Sequence, residues 1–279
     1  MKKDAQTIKD AVRDAYARIA EGGGSCCGSG SSCCGTGGLS KKLGYASDEL
    51  AALPVGADMG LSCGNPFAVD ALKPGETVVD LGCGGGFDAF IAARKVGPQG
   101  RVIGVDMTPE MIAKARKNSA EYTRRTGWNN LEFRLGEIEH LPVADGTVDV
   151  ILSNCVVNLS QNKAQVWREA ARVLKPGGRI AVSDIALVRP LPEPVRASVI
   201  ALAGCVAGAV TVDETKRMLA GAGFTKIVCT SHPENIDAMT NWSDPLYREI
   251  VAHIPAGMKI SDFVTEVTIA AVKPKEHTA

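Results

Sequence analysis

The feature that most constrains the fold of this chain is a regular alternation of β-branched runs and helical segments between residues 77 and 184. Five runs are predicted to be strands: Thr77–Leu81, Arg101–Asp106, Leu131–Leu135, Val148–Asn154 and Arg179–Asp184. Helices are predicted between them, among others over Ala89–Val96, Pro109–Arg125 and Lys163–Leu174. Strands that alternate with helices form mostly parallel sheets through right-handed crossovers. The pattern therefore predicts a doubly wound α/β fold.

The segments on either side of this unit are less regular. A short amphipathic helix is predicted over residues 4–20, and the run Gly22–Gly38 that follows consists of Gly, Ser, Thr and four Cys. Such a run cannot pack a core. After Asp184, helices are predicted over residues 193–207 and 213–221, and strands over Phe224–Thr230 and Phe263–Val272. We expect an N-terminal arm over residues 1–45, a core over 46–190 and a C-terminal part over 191–279 that completes the sheet.

Composition restricts the class of partner. The 279 residues include 31 Lys+Arg and 31 Asp+Glu, so the formal net charge is zero. The chain therefore lacks the excess of basic residues that is typical of a nucleic-acid binder. The longest uncharged stretch, Ala197–Val212, is shorter than a membrane span and is predicted to be a buried helix. Residues Met1–Asp4 do not begin a secretory signal. We expect a cytoplasmic protein with a small diffusible partner, and neither a nucleic acid nor a membrane as partner.

A glycine-rich turn follows the first predicted strand. Residues Val78–Gly86 read VVDLGCGGG, an apolar strand that runs directly into closely spaced glycines. Glycine permits positive φ and lets the backbone approach a ligand closely, and nucleotides bind at the carboxyl edge of such sheets. Asp106 ends the second strand twenty residues after Gly86, where it is placed to accept hydrogen bonds from ribose hydroxyls. Asp80, two residues before Gly82, distinguishes the turn from a dinucleotide-binding fingerprint.

The form Asp80-Leu81-Gly82-Cys83-Gly84 resembles motif I of class I S-adenosylmethionine (SAM)-dependent methyltransferases. The resemblance covers about residues 70–185, and it includes Gly136–Glu139 as the adenine-contacting segment and Leu174–Gly178 as the turn before strand five. It implies a Rossmann-like fold with a mostly parallel seven-stranded sheet, helices on both faces and SAM as cofactor. The residues implied to contact SAM are Asp80, Gly82, Cys83, Gly84, Asp106, Met107, Glu137, Ile138 and Asn154.

Within that set, individual roles are also predicted. Asp80 is implied to hold the methionine end of the cofactor or the turn itself, and Cys83 fills space inside the turn. Glu137 is expected to contact the cofactor, with Glu139 as its solvated neighbour. Tyr16, on the N-terminal helix, either packs over the cofactor or anchors that helix.

The chain contains nine cysteines, an odd number in a long chain, which favours metal binding, catalysis or core packing over disulfides. Cys63 precedes the first strand, Cys155 follows the fourth, and Cys205 lies beyond the fifth. We hypothesise that these three converge near the transferable methyl group. The alternative for each, and the favoured interpretation for Cys229, is packing as a small apolar side chain.

Five motifs extend the resemblance to one subfamily. Over about residues 5–230 the chain resembles arsenite methyltransferases, through Cys63–Pro66, Gly104–Thr108, Gly136–Glu139, Ser153–Leu159 and Gly204–Gly208. The most specific is Ser-Asn-Cys-Val-Val-Asn-Leu at Ser153–Leu159, since other methyltransferases seldom have cysteine there. The resemblance implies that Cys63, Cys155 and Cys205 hold trivalent arsenic.

A fourth, upstream cysteine of that family takes part in redox cycling. The candidates here are Cys26, Cys27, Cys33 and Cys34, none of which aligns uniquely, and Cys33 and Cys34 are counted among the predicted catalytic residues. The resemblance also implies a thiol reductant of glutathione or thioredoxin type. The substrate would be arsenite or its thiol conjugate, converted to methyl- and dimethylarsenicals for arsenic detoxification.

The chemistry agrees with this set of residues. Soft thiolates prefer soft acceptors, so arsenic exchanges its oxygens for sulfur and keeps a lone pair that can attack the sulfonium methyl group. No general base is needed because arsenic carries no proton, and catalysis consists chiefly of holding the reactants together.

Two other functions remain open from the sequence. One is a small-molecule carbon or oxygen methyltransferase of the quinone or sterol type with incidental cysteines. The other is a thiol-rich metalloid-binding or zinc-binding protein, although adjacent cysteines differ from the usual C-x₂₋₄-C zinc pairs.

Overall fold

The computed structural model describes residues 5–22, 38–68, 72–196, 198, 201, 205–240 and 252–275. These residues form one mixed sheet in the order β3-β2-β1-β4-β5-β8-β7, with the short strand β6 paired to β5 off this path. The first five are parallel, and β8 is antiparallel to both β5 and β7. The strands are β1 Thr77–Leu81, β2 Arg101–Asp106, β3 Leu131–Leu135, β4 Val148–Asn154, β5 Leu174–Leu187, β6 Val210–Thr211, β7 Thr225–His232 and β8 Val264–Val272.

Helices cover this sheet, and the predicted Rossmann-like fold is confirmed, with the two-residue strand β6 in addition to the seven predicted strands. The helices are α1 Ala5–Ala20, α2 Gly38–Lys42, α3 Ser47–Ala51, α4 Phe87–Val96, α5 Pro109–Thr126, α6 Lys163–Val173, α7 Glu193–Arg196, α8 Val212–Gly221 and α9 Pro233–Thr240. Three short 3₁₀ helices lie at Pro66–Ala68, Val157–Leu159 and Ile260–Asp262. No helix in the described ranges has both the length and the apolar character needed to cross a bilayer.

Burial explains why the sheet forms where it does. The central strand β1 is buried at four of its five positions, as expected of a parallel strand covered by helices on both faces. One core cluster contains Trp167 of α6, and another contains Phe90 of α4. Helix α5 starts at Pro109 after Thr108, the arrangement predicted from the sequence.

The C-terminal half differs from the prediction, and helix α9 (Pro233–Thr240) and strand β6 (Val210–Thr211) were not predicted. The predicted helices over residues 193–207 and Ala197–Val212 are wrong at Cys205–Thr211, where turns run from Cys205 (φ 62°) to Gly208 and Val210–Thr211 form β6. Strand β5 begins at Leu174, because Pro176-Gly177-Gly178 continues it through an irregular pairing with β4 instead of separating it from α6. The turns that begin at Cys205 place this residue beside Cys155, at the carboxyl end of β4.

Candidate active site

The glycine turn after β1 forms the floor of the site. Gly82, Gly84 and Gly86 adopt φ of 64°, 51° and 96°, values that side chains with a Cβ rarely adopt. A Cβ on Gly82 would overlap the side chain of Val156. The turn therefore needs glycine both for its conformation and for the close approach of the neighbouring loop.

Two aspartates at adjacent strand ends border this turn. The Asp106 carboxylate accepts hydrogen bonds from the backbone N–H of Gly84 at 2.9 Å and of Thr108 at 2.8 Å. Asp80 is buried, and its Oδ2 has no hydrogen-bond partner among the described residues. Burial, and then the charges of Asp88 and Asp106, raise the pKa of Asp80 well above its usual value. A buried acceptor with no partner is costly unless a ligand satisfies it.

A cavity opens above the turn. It has about 1060 Å³ of empty volume when its open mouth is included. Of the residues predicted to contact the cofactor, those that line it are Asp80, Gly82, Cys83, Gly84, Asp106, Met107, Ile138 and Asn154. Lining residues that the sequence did not single out include Asp58, Met59, Leu61, Ser62 and Asp88.

Glu137 and Glu139, in the segment Gly136–Glu139 that is predicted to contact adenine, have different environments. Glu139 lines the cavity and is half-buried there, and its carboxylate also accepts a hydrogen bond from Ser160 Oγ at 2.7 Å. The Glu137 carboxylate is 2.8 Å from Lys9 Nζ of helix α1 and is not part of the cavity lining. The structure therefore gives Glu137 a contact with the helix, not with the cavity.

Helix α1 covers one side of the cavity. Lys9 and Tyr16 belong to the lining, and Val12 is buried where α1 packs on α5. The pKa of Tyr16 is raised well above its usual value by burial first, and then by electrostatic interactions with Cys205, Asp106 and Asp184. Tyr16 is thus near Asp106, which is predicted to contact the ribose of the cofactor, and near Cys205.

Asn154, the last residue of β4, organises the other wall. Its Nδ2 donates to Tyr45 Oη, to the Gly64 carbonyl and to Asp88 Oδ2, each at 3.0 Å. Its Oδ1 accepts from the Cys63 backbone N–H at 3.3 Å. Burial raises the pKa of Asp88 to about 6, although hydrogen bonds from Tyr45 and Asn154 oppose the shift. Asn154 thereby ties the Cys63 loop to the cofactor side of the sheet.

Cys63 and Cys155 meet at this wall and form a disulfide, with their Cα atoms 5.9 Å apart. The expectation from the cysteine count, that disulfides are disfavoured, is wrong for this pair. The physical reason is that Asn154 holds the Cys63 loop against the carboxyl end of β4. Cys155 lines the cavity and has φ 56°, a strained conformation of the kind that concentrates at functional sites.

The third predicted cysteine lies beside this pair. The thiol of Cys205 donates to the carbonyl oxygen of Cys155 at 2.7 Å, and Cys205 is also buried with positive φ. Burial raises the pKa of this thiol well above its usual value; nearby Asp184 adds to the shift and Lys163 opposes it. Cys63, Cys155 and Cys205 are therefore brought together, whereas Cys26, Cys27, Cys33 and Cys34 lie outside the described residues.

One carboxylate at this site was not singled out by the sequence analysis. An oxygen of Asp184 and the Sγ atoms of Cys63 and Cys155 all lie within 4.8 Å of one another. Asp184 arrives there because β5 runs parallel to β4 with Asn154 paired to Ser183, so the next residues of the two strands, Cys155 and Asp184, are neighbours. The sequence signal that could have identified Asp184 is its place at the end of the predicted strand Arg179–Asp184, which neighbours the strand that Cys155 follows.

Comparison with known proteins gives consistent relatives. A family model described as a methyltransferase domain matches residues 72–223. The chain is 46% identical to an arsenite methyltransferase of Halobacterium salinarum, over 98% of this chain and 68% of that protein. It is 42% identical to an arsenite methyltransferase of Aquipseudomonas alcaligenes, over 58% of this chain and 47% of that protein.

Solved structures agree at two levels. An arsenic(III) S-adenosylmethionine methyltransferase from Chlamydomonas reinhardtii superposes with a TM-score of 0.61 and 32% identity, over 86% of this chain and 74% of that one. Phosphoethanolamine N-methyltransferase 2 of Haemonchus contortus, in complex with S-adenosylmethionine, has the same TM-score at 17% identity over 75% of this chain and 52% of that one. The second likeness shows the shared fold alone.

Proposed function

We infer that this chain, which belongs to the arsenite methyltransferase family, transfers the methyl group of SAM to trivalent arsenic. The observation that carries the inference is the position of its thiols. Cys155 lines the cofactor-type cavity, Cys63 is joined to it, and the Cys205 thiol contacts its carbonyl oxygen. A methyl acceptor bound by these sulfurs lies at the wall of the cavity.

The cavity fits SAM, whose sulfonium supplies an electrophilic methyl group when it is bound. Asp80 offers the buried, unpartnered Oδ2 as an acceptor for a cationic donor such as the ammonium group of methionine. Gly82 and Gly84 leave the turn free of side chains that would fill this space. Asp106 keeps its carboxylate at the cavity wall, fixed by two backbone N–H groups.

On the acceptor side, we propose that the thiolates of Cys63, Cys155 and Cys205 hold arsenic. Arsenite reacts with each thiol to form an As–S bond and release a water molecule, and the arsenic lone pair remains available for attack. No residue has to act as a base towards arsenic. The chain therefore contributes mainly by fixing the two reactants next to each other, which is a large part of many rate enhancements.

The redox state of the thiols belongs to the same proposal. Transfer of a methyl cation leaves arsenic pentavalent, and two thiolates return two electrons to it by forming a disulfide. The Cys63–Cys155 disulfide corresponds to that oxidised product. A thiol reductant of glutathione or thioredoxin type would regenerate the thiols, with Cys33 or Cys34 as relay, and a reducing compartment such as the cytoplasm suits this cycle.

The proposed function is tested by product speciation. The reduced protein is incubated with arsenite, SAM and a thiol reductant, and arsenic species are separated by chromatography with mass detection. We expect methylated arsenic that depends on SAM. SAM binding, measured in parallel by calorimetry, is the control: binding without any methylarsenic would reject arsenic as the acceptor and direct the search to organic substrates.

A further inference from the structure

The carboxylate beside the thiol pair has no part in the chemistry so far. Resting on the proposed function, we propose that Asp184 accepts a hydrogen bond from the remaining hydroxyl of arsenite after Cys63 and Cys155 have bound the arsenic. Asp184 would then distinguish arsenite, which keeps a hydroxyl at that stage, from methylarsonite, which does not.

The position of Asp184 allows this contact. One of its oxygens and the two Sγ atoms lie within 4.8 Å of one another, so a single arsenic atom held by both sulfurs is close to the carboxylate. Cys63 and Asp184 are buried, and Cys155 is half-buried at the cavity wall. A hydrogen bond at this position is not exchanged freely with water.

The hydrogen bonds of Asp184 leave one oxygen with spare capacity. Oδ1 accepts from Asn158 Nδ2 and from the Ile185 backbone N–H, both at 2.8 Å. Oδ2 accepts a longer bond from the Asn158 backbone N–H at 3.3 Å, and the Val157 backbone N–H also donates to this carboxylate. The carboxylate is therefore fixed in place, and Oδ2 has a longer hydrogen bond than the two at Oδ1, which leaves it the better placed oxygen to accept another.

Because the Cys205 thiol is turned towards the Cys155 carbonyl, we expect arsenite to keep one hydroxyl until this third thiol reacts. In this orientation Cys205 does not join the compact group formed by the other two sulfurs and Asp184. Arsenite, As(OH)₃, first reacts with the thiols of Cys63 and Cys155, releasing two waters and leaving a bis-thiolate As–OH. The Cys205 thiol then displaces this hydroxide, which leaves with the thiol proton as the third water.

Methylarsonite takes a shorter route. It carries two hydroxyls, and both leave as water when the same two thiols bind, so its methyl group occupies the third position. No As–OH is left for Asp184 to hold. The contribution of Asp184 is thus confined to arsenite, the substrate of the first methylation.

The test compares two substrates in one variant. In Asp184→Asn, the two donors at Oδ1 hold the amide carbonyl there, so an NH₂ group replaces the Oδ2 acceptor. We expect kcat/KM for arsenite to fall roughly 10- to 100-fold, the range for loss of one hydrogen bond to a charged group, while methylarsonite is methylated as before. Arsenite and methylarsonite affinities, measured by equilibrium dialysis without SAM in the reduced Cys205→Ser protein, where the bis-thiolate As–OH species is the end state, should show the same split when Asp184→Asn is added.

Controls make each outcome decisive. Glu169→Gln removes another buried carboxylate, which is bonded to Leu141 N–H and Arg172 and is not part of the cavity lining, and it should leave the ratio of the two substrates unchanged. Equal losses with both substrates, or an arsenite affinity that Asp184→Asn leaves unchanged in the Cys205→Ser protein, would overturn the role of Asp184. If the native chain formed no methylarsenic, the proposed function would fail, and the dialysis ratio would still decide this inference.

Discussion

At the scale of single residues, the site combines groups that are fixed with groups that are left unsatisfied. Asp106 has both carboxylate oxygens bonded to backbone N–H groups, whereas Asp80 keeps a buried oxygen with no partner among the described residues. A buried carboxyl group without a partner destabilises the folded protein, but it becomes a strong acceptor once a cationic ligand stabilises its ionised form. Asp80 thus contributes to binding at the expense of stability.

Replacing Asp80 with asparagine tests this opposition. We expect Asp80→Asn to weaken SAM binding roughly 10- to 100-fold, because a charge-assisted hydrogen bond is lost, while the ligand-free protein unfolds at the same or a higher temperature. Calorimetric titration with SAM and thermal unfolding measure the two quantities. Asp149→Asn, which removes the partner of Lys175, is the control expected to leave SAM binding intact. A less stable Asp80→Asn protein that still binds SAM would contradict the assignment.

At the scale of elements, the loop that carries Cys63 is positioned by its neighbour Gly64. The Gly64 carbonyl accepts from Asn154 Nδ2, and its Cα faces the hydrogen-bonded pair of Ser183 Oγ and Glu266 Oε1. A Cβ on Gly64 would overlap Ser183 Oγ and lie 2.5 Å from Glu266 Oε1, while both of these side chains are buried. Strand β8, through Glu266, therefore limits how closely the Cys63 loop can pack against the sheet.

Gly64→Ala should displace the Cys63 loop. We expect a loss of stability of about 1–3 kcal/mol from overpacking and a methylation rate reduced at least tenfold, since Cys63 moves away from Cys155. Chemical unfolding and arsenic speciation measure the two effects. Gly221→Ala, where the new Cβ meets no atom within 4 Å, is the matched control. Normal activity of Gly64→Ala would show that the loop is not held in this way.

Sequence patterns predicted the elements and the residues that are local to them. The turn from Asp80 to Gly84 and Asp106 were predictable because each follows directly from its own strand. Tyr45 and Asp88 were not, because their part in the site depends on their contact with Asn154, which is distant in the sequence.

The helix predicted across Cys205 failed for a related reason. Its apolar pattern suits a helix, but the chain turns there with positive φ and the thiol bonds to Cys155. Tertiary contacts decided this conformation. The convergence of the three cysteines was a hypothesis from strand ends, and the disulfide was contrary to expectation.

At the scale of the whole molecule, several buried carboxyls make stability depend on pH. Burial raises the pKa of Asp88 and of Asp184 to about 6, above the usual value of 3.8 that applies when the chain is unfolded. Between these values the folded protein binds more protons than the unfolded chain, so its free energy of unfolding rises as the pH falls. The effect therefore begins near pH 7, about one unit above the folded pKa, and continues down to about pH 4, near the unfolded pKa.

We expect the ligand-free, reduced protein to gain about 1 kcal/mol of unfolding free energy for each of these two groups between pH 7 and pH 5. Glu132, whose pKa is lowered to about 2 by Arg134, acts in the opposite direction mainly below that window. Urea unfolding at both pH values measures the change, and Asp88→Asn should remove its share. Stability that stays constant or falls on acidification would contradict these environments.

The central claim is that Cys63, Cys155 and Cys205 hold the arsenic that is methylated. The most direct measurement is arsenic speciation with SAM and a thiol reductant for Cys63→Ser, Cys155→Ser and Cys205→Ser, next to Cys229→Ser, whose cysteine lies half-buried on β7. We predict that methylated arsenic disappears in Cys63→Ser and Cys155→Ser, falls strongly with arsenite in Cys205→Ser, and is unchanged in Cys229→Ser. Undiminished methylarsenic in the Cys63 or Cys155 variant would contradict the account.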